Sequence, residues 1–363
     1  MVCVRRLHFD VAGILDIHGE FILLKGWNTL VRAGVPHVPV WHRRQSSSRT
    51  ILVARARRRG SLLIRMSDRI NQKVQRRLLL GALGCAVLLI VGYFVLVSTS
   101  WGHQLDDDAY FGRKAMSRRV IMLDSGMLDL VTKATLVLAA ALLFVIAALR
   151  RCALVGVVAV VGFGCAVVGA EILKRQLPWR PLVPDDGLLE KGFQNGTYPS
   201  GHATVGTSFA LGLLLVSSSR WRPWLAVAAG CISATFATAV LFAGWHRPSD
   251  VLGALAWSGL CMNGAAIFAI RLRGRPGLAM AHPAHALFGS VGLGVLLAGA
   301  TWLIAAAAAP EYPYDDLPFF VLTGLIIAGA FALIAWYGWQ LRAVDWPAGS
   351  VPAGPVASRF LSR

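Results

Sequence analysis

From Leu78 onward the sequence is a succession of apolar runs, each close to a membrane's thickness in length and each closed by a short polar or basic segment. A helix rises about 1.5 Å per residue, so about 20 apolar residues cross a hydrocarbon core of roughly 30 Å. In that medium backbone N–H and C=O groups must pair within the segment, which makes helices the fit for such runs. Runs at 78–98, 131–149, 152–173, 203–218, 224–243, 249–270, 285–309 and 319–341 predict an all-α polytopic membrane protein. The expected count is about eight transmembrane helices, with seven and nine as the neighbouring readings because the fourth run is short. A chain that is 56% hydrophobic and only 15% charged agrees with this and excludes an ordinary soluble domain.

The formal net charge of +18 would suit a nucleic-acid binder, but its distribution argues against one. Residues 1–77 hold 16 Lys/Arg against 4 Asp/Glu, including the run RARRRG at 55–60. A basic tail beside a membrane span is expected to be cytoplasmic, drawn to anionic lipid, and largely disordered. Met66, which opens MSDRINQKVQRR, is an alternative start of translation. No cleavable signal peptide is expected, since the first long apolar run starts near residue 78. Four of the six cysteines fall within apolar runs and none makes a Cys-x-x-Cys pair, so neither a disulfide framework nor a zinc site is indicated.

Three polar blocks stand at span ends. KRQLPWRP (174–181) closes the third run with Lys174, Arg175 and Arg180. GTYPSGHAT (196–204) opens the fourth with Ser200, Gly201 and His202. GWHRPSDVLG (244–253) precedes the sixth and carries His246 and Asp250 four residues apart, a spacing that puts both on one helix face. Each block alone has an ordinary reading: a capped helix start, cations snorkelling at a helix end, an interfacial histidine beside Trp245. Together, two histidines, a serine, a free glycine amide and two or three cations are an inventory for phosphoryl transfer. The acidic run Asp106–Asp108, in the polar link after the first span, reads as the cap of a helix lying at the membrane interface.

These blocks resemble the type 2 phosphatidic acid phosphatase (PAP2) superfamily, over roughly residues 78–275. The family pattern is Lys, six residues, Arg-Pro; then Pro-Ser-Gly-His; then Ser-Arg, five residues, His, three residues, Asp. Pro199–His202 and His246–Asp250 match, whereas five residues separate Lys174 from Arg180, and Ala239 and Val240 stand in the places of Ser-Arg. The resemblance implies His246 as nucleophile, Asp250 fixing its tautomer, and His202 as general acid. It implies Lys174, Arg180, Ser200 and Gly201 as holders of the substrate phosphate, and no metal or other cofactor. The implied activity is metal-independent hydrolysis of an amphiphilic phosphate, such as phosphatidic acid or a polyprenyl phosphate or pyrophosphate, through a phosphohistidine. The alternatives are a phosphotransferase with the same site, and a non-catalytic lipid-binding or transport protein on a degenerate scaffold, for which Val240 speaks.

Basic residues near span ends set the orientation. With the tail inside, Arg150–Arg151, Arg220–Arg222, Arg271–Arg275 and Arg342 fall on the cytoplasmic face, and all three motif blocks fall on the other. The expectation is a multi-pass protein of a bacterial plasma membrane with an extracytoplasmic site. The organisation expected is a tail at 1–77, a catalytic membrane domain at 78–275, an added transmembrane hairpin at 276–342 and a cytoplasmic tail at 343–363. Membrane lipids and the lipid phosphate are the expected partners, nucleic acid is not, and the oligomeric state stays open.

Overall fold

The computed structural model describes residues 71–112, 126–177, 196–273, 277–278, 285–308 and 317–346. The chain divides into two units, Met1–Ile64 and Arg65–Arg363. Residues 1–70, the segment with Arg180 and residues 347–363 lie outside the described residues; of the tail expected at 1–77 to be largely disordered, 71–77 are instead the first turns of α1.

Every predicted apolar run is a helix. In chain order these are α1 (Asn71–Val97, its last turn Tyr93–Val97 wound as a π-helix), α3 (Lys133–Leu149), α4 (Ala153–Gln176), α5 (Gly201–Val216), α6 (Arg222–Phe242), α7 (Pro248–Arg273), α8 (His285–Ala308) and α9 (Leu317–Gln340). The polar helix α2 (Ser100–Gly112) sits between α1 and α3. Among the described residues five helices, α1, α4, α6, α7 and α9, are long and apolar enough to cross a membrane, and Lys133–Leu149, Gly201–Val216 and Gly289–Leu303 are shorter apolar helices. The protein is thus an all-α, multi-pass membrane protein. The described strands are two residues each, Gly277–Leu278 (β1) paired antiparallel with Val344–Asp345 (β2).

Local sequence marks the helix ends. Thr132 caps α3, accepting from the Thr135 N–H while the Thr135 hydroxyl oxygen accepts from the Thr132 N–H. Ser200 caps α5, and Pro223 stands in the first turn of α6, where its missing N–H costs nothing. Gly244, at φ 69°, ends α6 in the left-handed conformation that a Cβ disfavours. The core is shared by α4, α5 and α7, with α3 against α4, α6 against α5, and α9 against α6, α7 and α2.

At the end of the bundle where α5 finishes, Arg222 is only 1% exposed and spends its guanidinium on four carbonyls. Nε donates to Leu214 (3.2 Å), Nη1 to Leu341 (2.6 Å) and Val344 (2.9 Å), and Nη2 to Ser217 (3.0 Å). Beside it Arg150 donates to Val216 O and to Asp345 Oδ1 (2.8 Å), and Ser219 Oγ donates to Asp345 Oδ2 (3.1 Å). Burial alone would raise the Asp345 carboxyl. The Trp346 N–H, the Arg150 guanidinium and the Ser219 hydroxyl all favour its anion and hold it below its usual range. This cluster fastens the segment after α9 to the ends of α5 and α6.

Candidate active site

At the opposite end, the turn between α6 and α7 presents the third motif block. The N–H groups of Trp245 and His246 both donate to Val240 O, at 3.0 and 3.2 Å, so the turn folds back onto the last turn of α6. His246 Nδ1 lies 3.2 Å from Asp250 Oδ2, in the i,i+4 relation expected for these residues. Asp250 is 0% exposed and accepts on three sides. Its Oδ2 also takes the Arg247 N–H (3.1 Å), its Oδ1 takes the Thr197 hydroxyl (3.1 Å), and its carbonyl takes the Ser200 N–H (2.9 Å). One residue thereby ties the Pro-Ser-Gly-His turn to the histidine turn, through both its carboxylate and its carbonyl. An acceptor at Nδ1 assigns the ring proton to that nitrogen and leaves the Nε2 lone pair for chemistry.

His202, in the first turn of α5, packs edge-on against Trp245 with ring centroids 5.1 Å apart. The charged groups whose fields reach its ring are His246, Lys174, Glu171 and Asp129, which gathers residues of all three blocks around one spot. Lys174 Nζ is 2.6 Å from Glu171 Oε1. A Cβ added at Gly201 would stand 2.7 Å from Glu171 Oε1 and 3.0 Å from Lys174 Nζ, so a side chain here would push the tips of that ion pair aside. Ser200 is fully buried, and its Oγ accepts from the Ala203 N–H at 3.4 Å. Tyr198, in the loop before it, donates to Leu89 O (2.6 Å), and burial together with the nearby Asp250 pushes its phenol up, so it stays a donor.

The structure thus brings His202, His246, Asp250, Ser200, Gly201 and Lys174 to one end of the bundle, while Arg180 lies outside the described residues. Val240 sits where the family pattern has arginine. Its side chain is fully buried in an apolar cluster with Ala203, Ala237, Leu241 and Val251, and its contribution to the turn is its carbonyl. Arg247, adjacent to the histidine, donates Nε to Asp107 Oδ1 (2.6 Å) and lies over the Tyr110 ring. Arg175 is exposed at the end of α4. Among the described residues no three His, Cys, Asp or Glu side chains group as a metal site would require.

The acidic run differs from expectation. Asp106 and Asp107 do not cap α2 itself: they lie in its middle, and Asp106 caps the first turn of α7. Its Oδ1 accepts the Ser249 N–H (2.9 Å) and its Oδ2 the Ser249 hydroxyl (2.6 Å). The missed signal was spacing: His103, Asp106, Asp107 and Tyr110 fall at i, i+3, i+4 and i+7, a polar stripe on one helix face.

Residues 150–273 match the family model of the PAP2 superfamily. No curated protein and no solved structure matches the chain. The matched stretch runs from the start of α4 through α7 and holds both histidines, Asp250 and the Pro-Ser-Gly-His turn, so residues 150–273 of this multi-pass membrane protein are similar to the PAP2 superfamily, a superfamily generally of phosphatases.

Proposed function

We propose that this protein is a metal-independent hydrolase of lipid phosphates that works through a phosphohistidine. The observation that carries the reading is the His246–Asp250 pair: a fully buried carboxylate at Nδ1, with His202 within electrostatic reach. In the first step the Nε2 lone pair of His246 attacks phosphorus, and the bond from phosphorus to the lipid oxygen breaks. His202 gives its proton to that departing oxygen. In the second step water attacks phosphorus, His202 takes a proton from it, and the P–N bond breaks to release inorganic phosphate. Asp250 steadies the imidazolium that forms. Lys174, Arg180, the Ser200 hydroxyl and the Gly201 amide are the proposed donors to the equatorial oxygens, where preorganised charge is worth most.

The substrate class is an amphiphile with a terminal phosphate or pyrophosphate, phosphatidic acid and polyprenyl phosphates included. A site at the ends of apolar helices meets a headgroup without drawing the chain out of the bilayer. The basic clusters at the far end of the bundle support a cytoplasmic position for that end and an extracytoplasmic face for the histidines, in a bacterial plasma membrane. The test is phosphate release from a panel of lipid phosphates by purified protein in detergent with EDTA present. Release that His246→Ala abolishes, together with an acid-labile, base-stable phosphoenzyme, supports the reading. Full turnover by His246→Ala excludes it. Transfer of the phosphoryl group to an added alcohol instead of water reassigns the protein as a transferase. For sidedness, a cysteine introduced within 185–195 is expected to react with an impermeant thiol reagent in intact cells after native thiols are masked, and one near Arg273 is not.

A further inference from the structure

We infer that α2, which lies outside the matched domain, is a working part of the catalytic site, and that Asp106 is a positioning residue for His246. The inference rests on the phosphohistidine reading and adds a residue to it. Three consecutive points of the histidine turn are held from one face of α2. Tyr110 donates its hydroxyl to Gly244 O (3.1 Å), Asp107 takes Arg247 Nε (2.6 Å), and Asp106 takes both the N–H and the hydroxyl of Ser249. These contacts bracket His246 on both sides in the chain.

Asp106 carries the most weight. It is 2% exposed, both of its oxygens are used on one residue, and it stands at the N-terminus of α7, where unpaired amides and the helix dipole favour a negative group. The first turn of α7 has more donors than Asp250 can satisfy while also holding an imidazole. With Asp106 taking the Ser249 amide, Asp250 Oδ2 is committed to the Arg247 N–H and to His246 Nδ1. Remove Asp106, and the Ser249 donors compete for the carboxylate of the next residue, Asp250. The imidazole then loses the partner that sets its tautomer and direction.

The experiment compares Asp106→Ala, Asp106→Asn and Ser249→Ala in full-length protein in detergent, on the lipid phosphate that the wild type turns over fastest. A misplaced nucleophile costs rate far more than ground-state affinity, so Asp106→Ala should lower kcat by about 10²-fold with KM changed by less than about twofold. Asp106→Asn keeps an acceptor for the Ser249 amide and should recover most of the rate, with Ser249→Ala between the two. Inhibition by orthovanadate, which mimics the transition state, should weaken in step with kcat while inhibition by inorganic phosphate stays put. An arm without substrate is the rate at which diethyl pyrocarbonate labels His246, read by peptide mass spectrometry, which should rise several-fold in Asp106→Ala. Arg222→Ala serves as the destabilised control. If its kcat per folded molecule falls as far as that of Asp106→Ala, or if Asp106→Ala keeps wild-type kcat and wild-type labelling, the positioning role is overturned. A wild type that hydrolyses nothing would sink the phosphatase reading alone, because the labelling arm still reports on the clamp.

Discussion

The two ends of this helix bundle each gather charged and polar side chains, yet they use them in opposite ways. At the Arg222 end, the guanidinium is buried and divided among four carbonyls, and Asp345 is divided among Arg150, Ser219 and the Trp346 N–H. At the His246 end, Asp250 is saturated in the same manner, but the charged groups gathered at that end are not buried with it. Glu171 is 52% exposed, its partner Lys174 18%, and the His246 side chain 11%. At one end Arg222 is buried and spent on carbonyls, and at the other Lys174, partnered by an exposed glutamate, stays within reach of solvent. A buried, saturated polar network stabilises and specifies a structure, whereas a ligand site keeps valences open. Both ends carry arginines at helix termini, so residue type alone does not separate the two uses.

The sharpest way to break this contrast is to cut each end in turn. Arg222→Ala leaves the Leu214, Ser217, Leu341 and Val344 carbonyls without their donor in a buried setting. The expected cost is about 3–5 kcal/mol of stability, read as a large drop in thermal melting in detergent. Arg222→Lys should recover little, because a single ammonium cannot reproduce the fork. His246→Ala should do the converse, abolishing turnover with almost unchanged melting. If Arg222→Ala melts like wild type, the far end is not the fastening it is described as.

Asp250 belongs to both descriptions, being buried like Arg222 and attached to the chemistry. Asp250→Asn keeps one acceptor oxygen: with it on Thr197, the NH₂ faces His246 Nδ1 and the Arg247 N–H, which favours the wrong tautomer and leaves that N–H unpaired. Turnover is expected to fall by about 10²–10⁴-fold. Melting should fall less than for Arg222→Ala, measured side by side.

A smaller effect is expected from pH at the Arg222 end. The Asp345 carboxyl is held below its ordinary value of 3.8 in the folded state. Its contribution is therefore fully present above that value and is lost as pH falls through the lower folded one. Melting of the wild type should drop through this acidic window, and Asp345→Asn should melt lower near neutral pH but lose part of the dependence. Because Asp345 is partly exposed, with 30% of its side chain accessible, the change should be a few degrees at most.

The helices were legible because uninterrupted apolar runs of membrane length have one physical solution, and all eight runs are helical. The histidine pair was legible because i,i+4 spacing fixes a shared face before any fold is known. Three things were not. Asp106 and Ser249 lie 143 residues apart, and a run of three aspartates looks the same whether it caps its own helix or another. Arg222 reads in sequence as one more topology-setting cation, and only its burial shows the carbonyls it holds. Val240 reads as a hole in the charge cradle. The structure gives it a backbone task in an apolar cluster, so Val240→Arg should cost stability by burying an unpaired charge, with no gain in turnover.

The finest distinction between the ends rests on Glu171. Its pair with Lys174 is short but open to solvent, and exposed pairs contribute only about 0–1 kcal/mol, so Glu171→Gln should melt like wild type. Its effect on anions should be larger. Among the described residues Lys174 is the cation lying against Gly201, and Glu171 already engages it there. A phosphoryl oxygen reaching for Lys174 has to share or displace that carboxylate. Removing the negative charge should lower both KM for a dianionic lipid phosphate and the inhibition constant of inorganic phosphate by about 3–10-fold, with the gain shrinking as salt rises. A singly charged phosphodiester, less repelled by the carboxylate, should gain less. Lys174→Ala should reverse the effect and make Glu171→Gln silent in the double variant, which is the coupling expected of two residues acting on one anion. If Glu171→Gln instead weakens phosphate, the carboxylate orients Lys174 and does not compete for it. The site would then share with the Arg222 end the use of an acid to hold a base in place.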